Sequence, residues 1–96
     1  MNKYEVALVL SSTLTDEQRQ AELDLVKEYI AKYTGVVTDV DDWGKRKLAY
    51  EIHKQSEGYF CFIKADGEPS LAVELEKELR LRNETLLRYL IVRQGE

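Results

Sequence analysis

The periodicities of this 96-residue chain predict an α+β fold of order βαββαβ. Two stretches repeat apolar residues at helical spacing, four read as extended, and the two middle extended stretches follow each other with no helix between them. Two βαβ halves joined by a hairpin make a four-stranded antiparallel sheet with both helices on one face. A chain this short cannot divide into two self-sufficient cores, so residues 1–96 are expected to form one domain.

Lys3–Leu10 alternates, with Tyr4, Val6, Leu8 and Leu10 on one side and Lys3, Glu5, Ala7 and Val9 on the other. Thr15 offers a helix N-cap with Gln18 as its capping-box partner, and Asp16 and Glu17 suit the positive helix start. Leu23, Val26, Ile30 and Tyr33 continue at helical spacing, widened by Leu25 and Tyr29, and Gly35 is placed to close the helix. Val36–Val40 reads as a strand that resumes at Lys45–Ile52, with a bulge expected at Gly44. The polar stretch Lys54–Gly58 reads as a hairpin connection and Gly58–Lys64 as the third strand. Pro69 fits the first turn of a second helix, with Ala72, Leu75 and Leu79 inward, Leu71 and Leu81 beside them, and Asn83 able to end it. Leu86–Arg93 is the last strand. The whole is the ferredoxin-like arrangement.

One sheet face then has no cover, and a face that meets water should be polar. Strand three disobeys: Tyr59, Cys61 and Ile63 lie on one side, Phe60 and Phe62 on the other. Strand four sets Leu86, Leu90 and Val92 against Leu87, Tyr89 and Ile91. An uncovered apolar face marks an interaction site, expected here on the side of strands two and three.

The formal net charge of −4 hides a pattern. Residues 1–44 carry −5, residues 45–54 carry +3, residues 55–78 carry −4 and residues 79–96 carry +2. Positive charge is confined to two segments, so an acidic chain can still attract a polyanion locally. No apolar run approaches the roughly 20 residues of a membrane span. Glu5 interrupts the N-terminal apolar stretch, so a cytoplasmic location is expected.

Chemistry is sparse. Cys61 is the single cysteine, set in an apolar run, and reads as a small buried hydrophobe. His53 is the single histidine, which leaves no zinc spacing and no nucleophile–base pair. There is no GxxxxGK[ST] phosphate cradle, and the loop after strand one, SSTLTDEQ, has neither glycine nor arginine. No enzyme, cofactor or metal is expected, and no small-molecule substrate. The strand-three signature of single-strand RNA-recognition modules also fails: Glu57 replaces a basic residue, Phe60 a small one, and Cys61 the stacking aromatic. Phosphate contact to folded RNA requires only Lys and Arg.

Three blocks carry a family resemblance: YEVALVL at the start, WGKRKLAYEIHKQSEGYFCFIKA in the middle and LEKELRLRNETLLRYLIVR at the end. In order and nearly gap-free, they resemble the bacterial small-ribosomal-subunit protein S6 family. The resemblance implies a structural, non-catalytic role. Such proteins pair with small-subunit protein S18, and the pair binds the central domain of small-subunit ribosomal RNA in the platform. On this reading Leu48, Ala49 and Tyr50 match the LAY motif and face the partner protein, together with Tyr59 and Ile63. Arg46, Lys47 and Lys54, then Arg88 and Arg93, match basic positions and would meet RNA, with Lys3 as a weaker addition. The family often carries an extended charged C-terminal tail, which the sequence ending in Gln94-Gly95-Glu96 does not show. The isolated chain is expected to be a monomer. The competing class is a stand-alone ferredoxin-like interaction or ligand-sensing module that dimerises through its sheet.

Overall fold

The protein is described by a computed structural model covering residues 2–52, 54–82 and 85–94. Its elements run β1 (Asn2–Ser11), α1 (Asp16–Lys32), β2 (Val36–Ile52), β3 (Gln55–Gly67), α2 (Pro69–Arg80) and β4 (Leu86–Gln94). The strands form one antiparallel sheet in the order β2-β3-β1-β4, as the ferredoxin-like reading requires.

β1 occupies the middle because alternate residues can be buried along its whole length. Tyr4, Val6, Leu8 and Leu10 are all buried. They pair across to Ala65, Ile63, Cys61 and Tyr59 of β3, which therefore share the helix-covered face. Leu23, Val26 and Ile30 of α1 and Leu71, Leu75 and Leu79 of α2 close the core from above.

The start of α1 obeys its sequence signal. The Gln18 N–H donates to the Thr15 hydroxyl at 3.2 Å, and the Thr15 N–H donates back to the Gln18 side-chain oxygen at 2.9 Å. Its end differs from expectation. The Thr34 N–H donates to the Ala31 carbonyl at 3.0 Å and the Gly35 N–H to the Ile30 carbonyl at 2.8 Å, the paired bonds of a Schellman turn. The left-handed residue of that turn is Thr34, at φ 64, and not the glycine. Gly35 is there for space: a Cβ would stand 2.7 Å from Ile30 Cγ2 and 2.8 Å from Leu71 Cδ2.

α2 begins at Pro69 as expected and is capped at Leu81, whose side chain is 79% exposed and outside the core, contrary to the sequence expectation. The expected role of Asn83 lies outside the described residues. Leu86 also departs from simple alternation. Val9 pairs with Arg88 but Leu10 pairs with Leu86, so Leu87 is an extra residue and Leu86 turns into the core.

An ion pair that the sequence did not announce ties α1 to the segment before β4. Arg82 Nε donates to Glu22 Oε2 at 2.8 Å, and Arg82 Nη2 donates to the other oxygen of the same carboxylate. The hydrogen bond that Arg82 donates to Glu22 raises the Arg82 pKa above its ordinary value.

Two neighbouring substitutions should move stability in opposite directions. Thr34→Gly relieves a β-branched residue in the left-handed region and is expected to stabilise by about 0.5–1 kcal/mol. Gly35→Ala forces Ile30 and Leu71 apart and is expected to cost about 1–3 kcal/mol. Urea unfolding reads both as shifts of midpoint at constant slope.

Candidate macromolecular interface

The uncovered face of the sheet is built by residues that alternate with the core. Ala7 and Val9 of β1, Phe60 and Phe62 of β3, and Leu90 and Val92 of β4 all lie on it, with Leu90 and Val92 59% and 42% exposed. It is apolar across three strands toward the hairpin, with Glu5 and Lys64 paired at its other end.

β2 completes this face through irregular pairing. Asp42 pairs with Cys61 and Gly44 with Phe60, so Trp43 is an extra residue at the bulge expected near Gly44. Gly44 takes φ 75, and its N–H donates to the Asp42 carboxylate at 3.0 Å. Trp43 turns onto the open face, its ring 4.8 Å from that of Phe62, while its Nε1 donates to Asp41 at 2.8 Å. The bulge reverses the faces of the residues after it. Lys45 falls opposite Tyr59 on the helix side, and Arg46 opposite Gly58 on the open side, with its guanidinium over the Trp43 ring at 5.7 Å. The three adjacent bases are thus divided between two faces.

A larger irregularity follows. Lys47 pairs with Glu57 and Ile52 with Gln55, five steps along β2 (52 − 47) against two along β3 (57 − 55). The surplus arches toward the open face. Leu48, Ala49, Tyr50 and Ile52 line a recess of about 210 Å³ with Val9, Phe60 and Arg88. The arch reaches β4 at the opposite edge of the sheet: Arg88 Nη1 donates to the Tyr50 hydroxyl.

The sequence-predicted residues therefore separate. Leu48, Ala49 and Tyr50 gather on the recess. Ile63 does not join them. It is fully buried beneath the helices, so the expectation that it meets a partner is corrected. Tyr59 shares the Ile63 face, half-covered by the Arg19 guanidinium at 4.4 Å and the Lys45 ammonium at 5.5 Å, and likewise stands away from the LAY surface. Among the basic residues, Arg46 and Arg88 flank the open face near the hairpin, and Lys47 and exposed Lys54 lie on the hairpin itself. Lys3 and Arg93 stand at the other end of β1 and β4, roughly 20 Å away at about 3.3 Å per strand residue, and Arg93 pairs with Tyr4 on the helix side. Sequence reading left Trp43 without a role, although a tryptophan beside a glycine and three bases is a signal for an aromatic surface.

No group of three or more His, Cys, Asp and Glu side chains among the described residues is arranged to hold a metal ion. Burial, reinforced by the Asp42 carboxylate, pushes the Cys61 thiol from 9.0 up to about 11. No helix is long and apolar enough to cross a membrane.

A ferredoxin-like sheet with one helix-covered face and one open apolar face, bordered by arginine, defines a class of small α+β proteins whose exposed surface is broad rather than a closed cavity. The family model for ribosomal protein S6 matches residues 3–93, and the chain belongs to that family of small-ribosomal-subunit proteins. It is 42% identical over 96 residues to small ribosomal subunit protein bS6 of Caldanaerobacter subterraneus subsp. tengcongensis, covering all of both chains. It is 41% identical to the protein of that name from Clostridium kluyveri, over 97% of each. The crystal structure of 30S ribosomal protein S6 from Thermotoga maritima superposes with a TM-score of 0.91 at 29% identity, covering 97% of this chain and 87% of that one. The family is one of ribosomal structural proteins, not an enzyme class.

Cys61 should resist alkylation in the native state at pH 8 and react only as the protein unfolds. Because its folded pKa is raised, only the unfolded thiol ionises between about pH 9 and about pH 11, so this group's contribution to stability is lost as pH rises through that window. Urea midpoints across that window should fall more for the parent chain than for Cys61→Ala.

Proposed function

We propose that this chain is a structural constituent of the small ribosomal subunit, binding the central domain of its ribosomal RNA jointly with protein S18. The observation that carries the reading is the convergence of the LAY recess and the bases around it. The apolar surface of Leu48, Ala49 and Tyr50 ends directly at Arg88, with Arg46 on the same face. A protein partner covering the recess brings its own surface up against those cations. Family membership supports a place in the ribosome, and with it a cytoplasmic location.

Arg46 and Arg88 on the open face, with Lys54 on the hairpin, supply the main phosphate contact, and Lys47 on the helix side and Lys3 and Arg93 at the far end of the sheet supply separate ones. A handful of phosphates gives modest, salt-sensitive affinity. The acidic remainder of the chain lowers it further. Joined to a basic partner, the two surfaces bind as one, each raising the effective concentration of the other.

A mobility-shift titration of a central-domain RNA fragment tests this. Weak binding is expected from the chain alone and tight binding with S18 added. Arg46→Gln should reduce the salt slope by about 0.7–1 with little dependence on sequence. Tight, salt-resistant binding by the chain alone would contradict the cooperative reading. Sedimentation of the isolated chain should give a monomer.

A further inference from the structure

Tyr50 belongs to the surface proposed for the partner protein and Arg88 to that proposed for RNA, yet the two side chains touch. We propose that Tyr50 is a positioning residue that couples the two: a protein bound on the β2 arch fixes Tyr50, Tyr50 fixes Arg88, and Arg88 then presents its remaining guanidinium edge to phosphate. The inference rests on the proposed joint binding and adds the link by which one ligand favours the other.

The geometry supports this sign of coupling. The guanidinium carries five N–H donors in a rigid fork. The hydrogen bond to the Tyr50 hydroxyl uses Nη1, which leaves the Nε and Nη2 edge for a bidentate phosphate. No carboxylate among the described residues lies within ion-pair range of Arg88. Its guanidinium carbon stands 6.0 Å from the Tyr50 ring centre, so the ring also limits its swing. Tyr50 itself is 60% exposed and sits on an arch attached to the ladder only at Lys47 and Ile52. A partner that holds the arch removes freedom from both side chains, and a side chain ordered before RNA arrives loses less on binding. Coupling of this kind is reciprocal, so RNA must strengthen partner binding by the same factor.

Tyr50→Phe isolates the link, since it keeps the ring that a partner covers and removes the oxygen that holds Arg88. With purified S18 and a central-domain RNA fragment, RNA affinity is read at saturating S18, so that any change in S18 binding by the variant drops out of the comparison. The variant–S18 pair should bind RNA about three- to tenfold more weakly than the parent pair. In an Arg88→Gln background the same substitution should have no further effect. RNA affinity unchanged within twofold, or an equal loss in the Arg88→Gln background, would overturn the coupling. The parent chain reads the underlying proposal separately: if S18 does not enhance its RNA binding, joint binding fails and the link falls with it, whereas an intact parent response with a silent Tyr50→Phe removes the link alone.

Discussion

The surplus residues of β2 decide what the open face can do. The side chains of a strand paired residue for residue with β3 would alternate strictly between core and solvent. β2 instead breaks register at Thr38, at Trp43 and again between Lys47 and Ile52. The break at Trp43 brings an indole and Arg46 to the side away from the helices. The break before Ile52 lets the Tyr50 side chain lean over the open face, where its hydroxyl meets the Arg88 side chain of β4. Bulges also spoil β2 as a template for stray strand pairing, a hazard for any edge strand. One feature thus protects the edge and builds the surface.

That surface needs a rigid support, and the helix-covered side supplies it. β1 runs through the sheet centre with every alternate side chain buried, and both helices rest on it. The Glu22–Arg82 pair ties α1 to the segment that follows α2, while Arg88 is placed by its pairing with Val9 of β1. Such a pair contributes less to net stability than its geometry suggests, because two charges leave water to make it.

Much of this was legible in the sequence, and the failures share a cause. The capping box at Thr15, the proline start of α2 and the strand order all follow from local rules, and the structure obeys them. Ile63 is ambiguous in the sequence because a strand that is apolar on both faces gives no sign of which face meets the helices. Only pairing with β1 decides it. Leu86 faces opposite to the simple alternation because one inserted residue, Leu87, reverses it. Gly35 reads in the sequence as the glycine that closes α1, but the left-handed residue is Thr34, and what demands glycine at 35 is the close approach of Ile30 and, from α2, Leu71. The contact between Tyr50 and Arg88 spans 38 residues and two intervening strands, and no local pattern encodes it.

The three adjacent bases at Lys45, Arg46 and Lys47 are the clearest example of a sequence cluster that the fold divides. Lys45 lies against Tyr59 on the helix side, where Arg19 stacks on the same ring. Arg46 stacks on Trp43 and donates to its carbonyl at 3.2 Å on the opposite side. A polyanion approaching either face meets one of them at close range and the other only through the sheet. The positive charge that matters on the open face is therefore Arg46 together with Arg88, which lie far apart in the sequence. The net charge of −4 is compatible with that arrangement because screening shortens the reach of distant carboxylates to about 8–10 Å at physiological salt, while the cations act at contact.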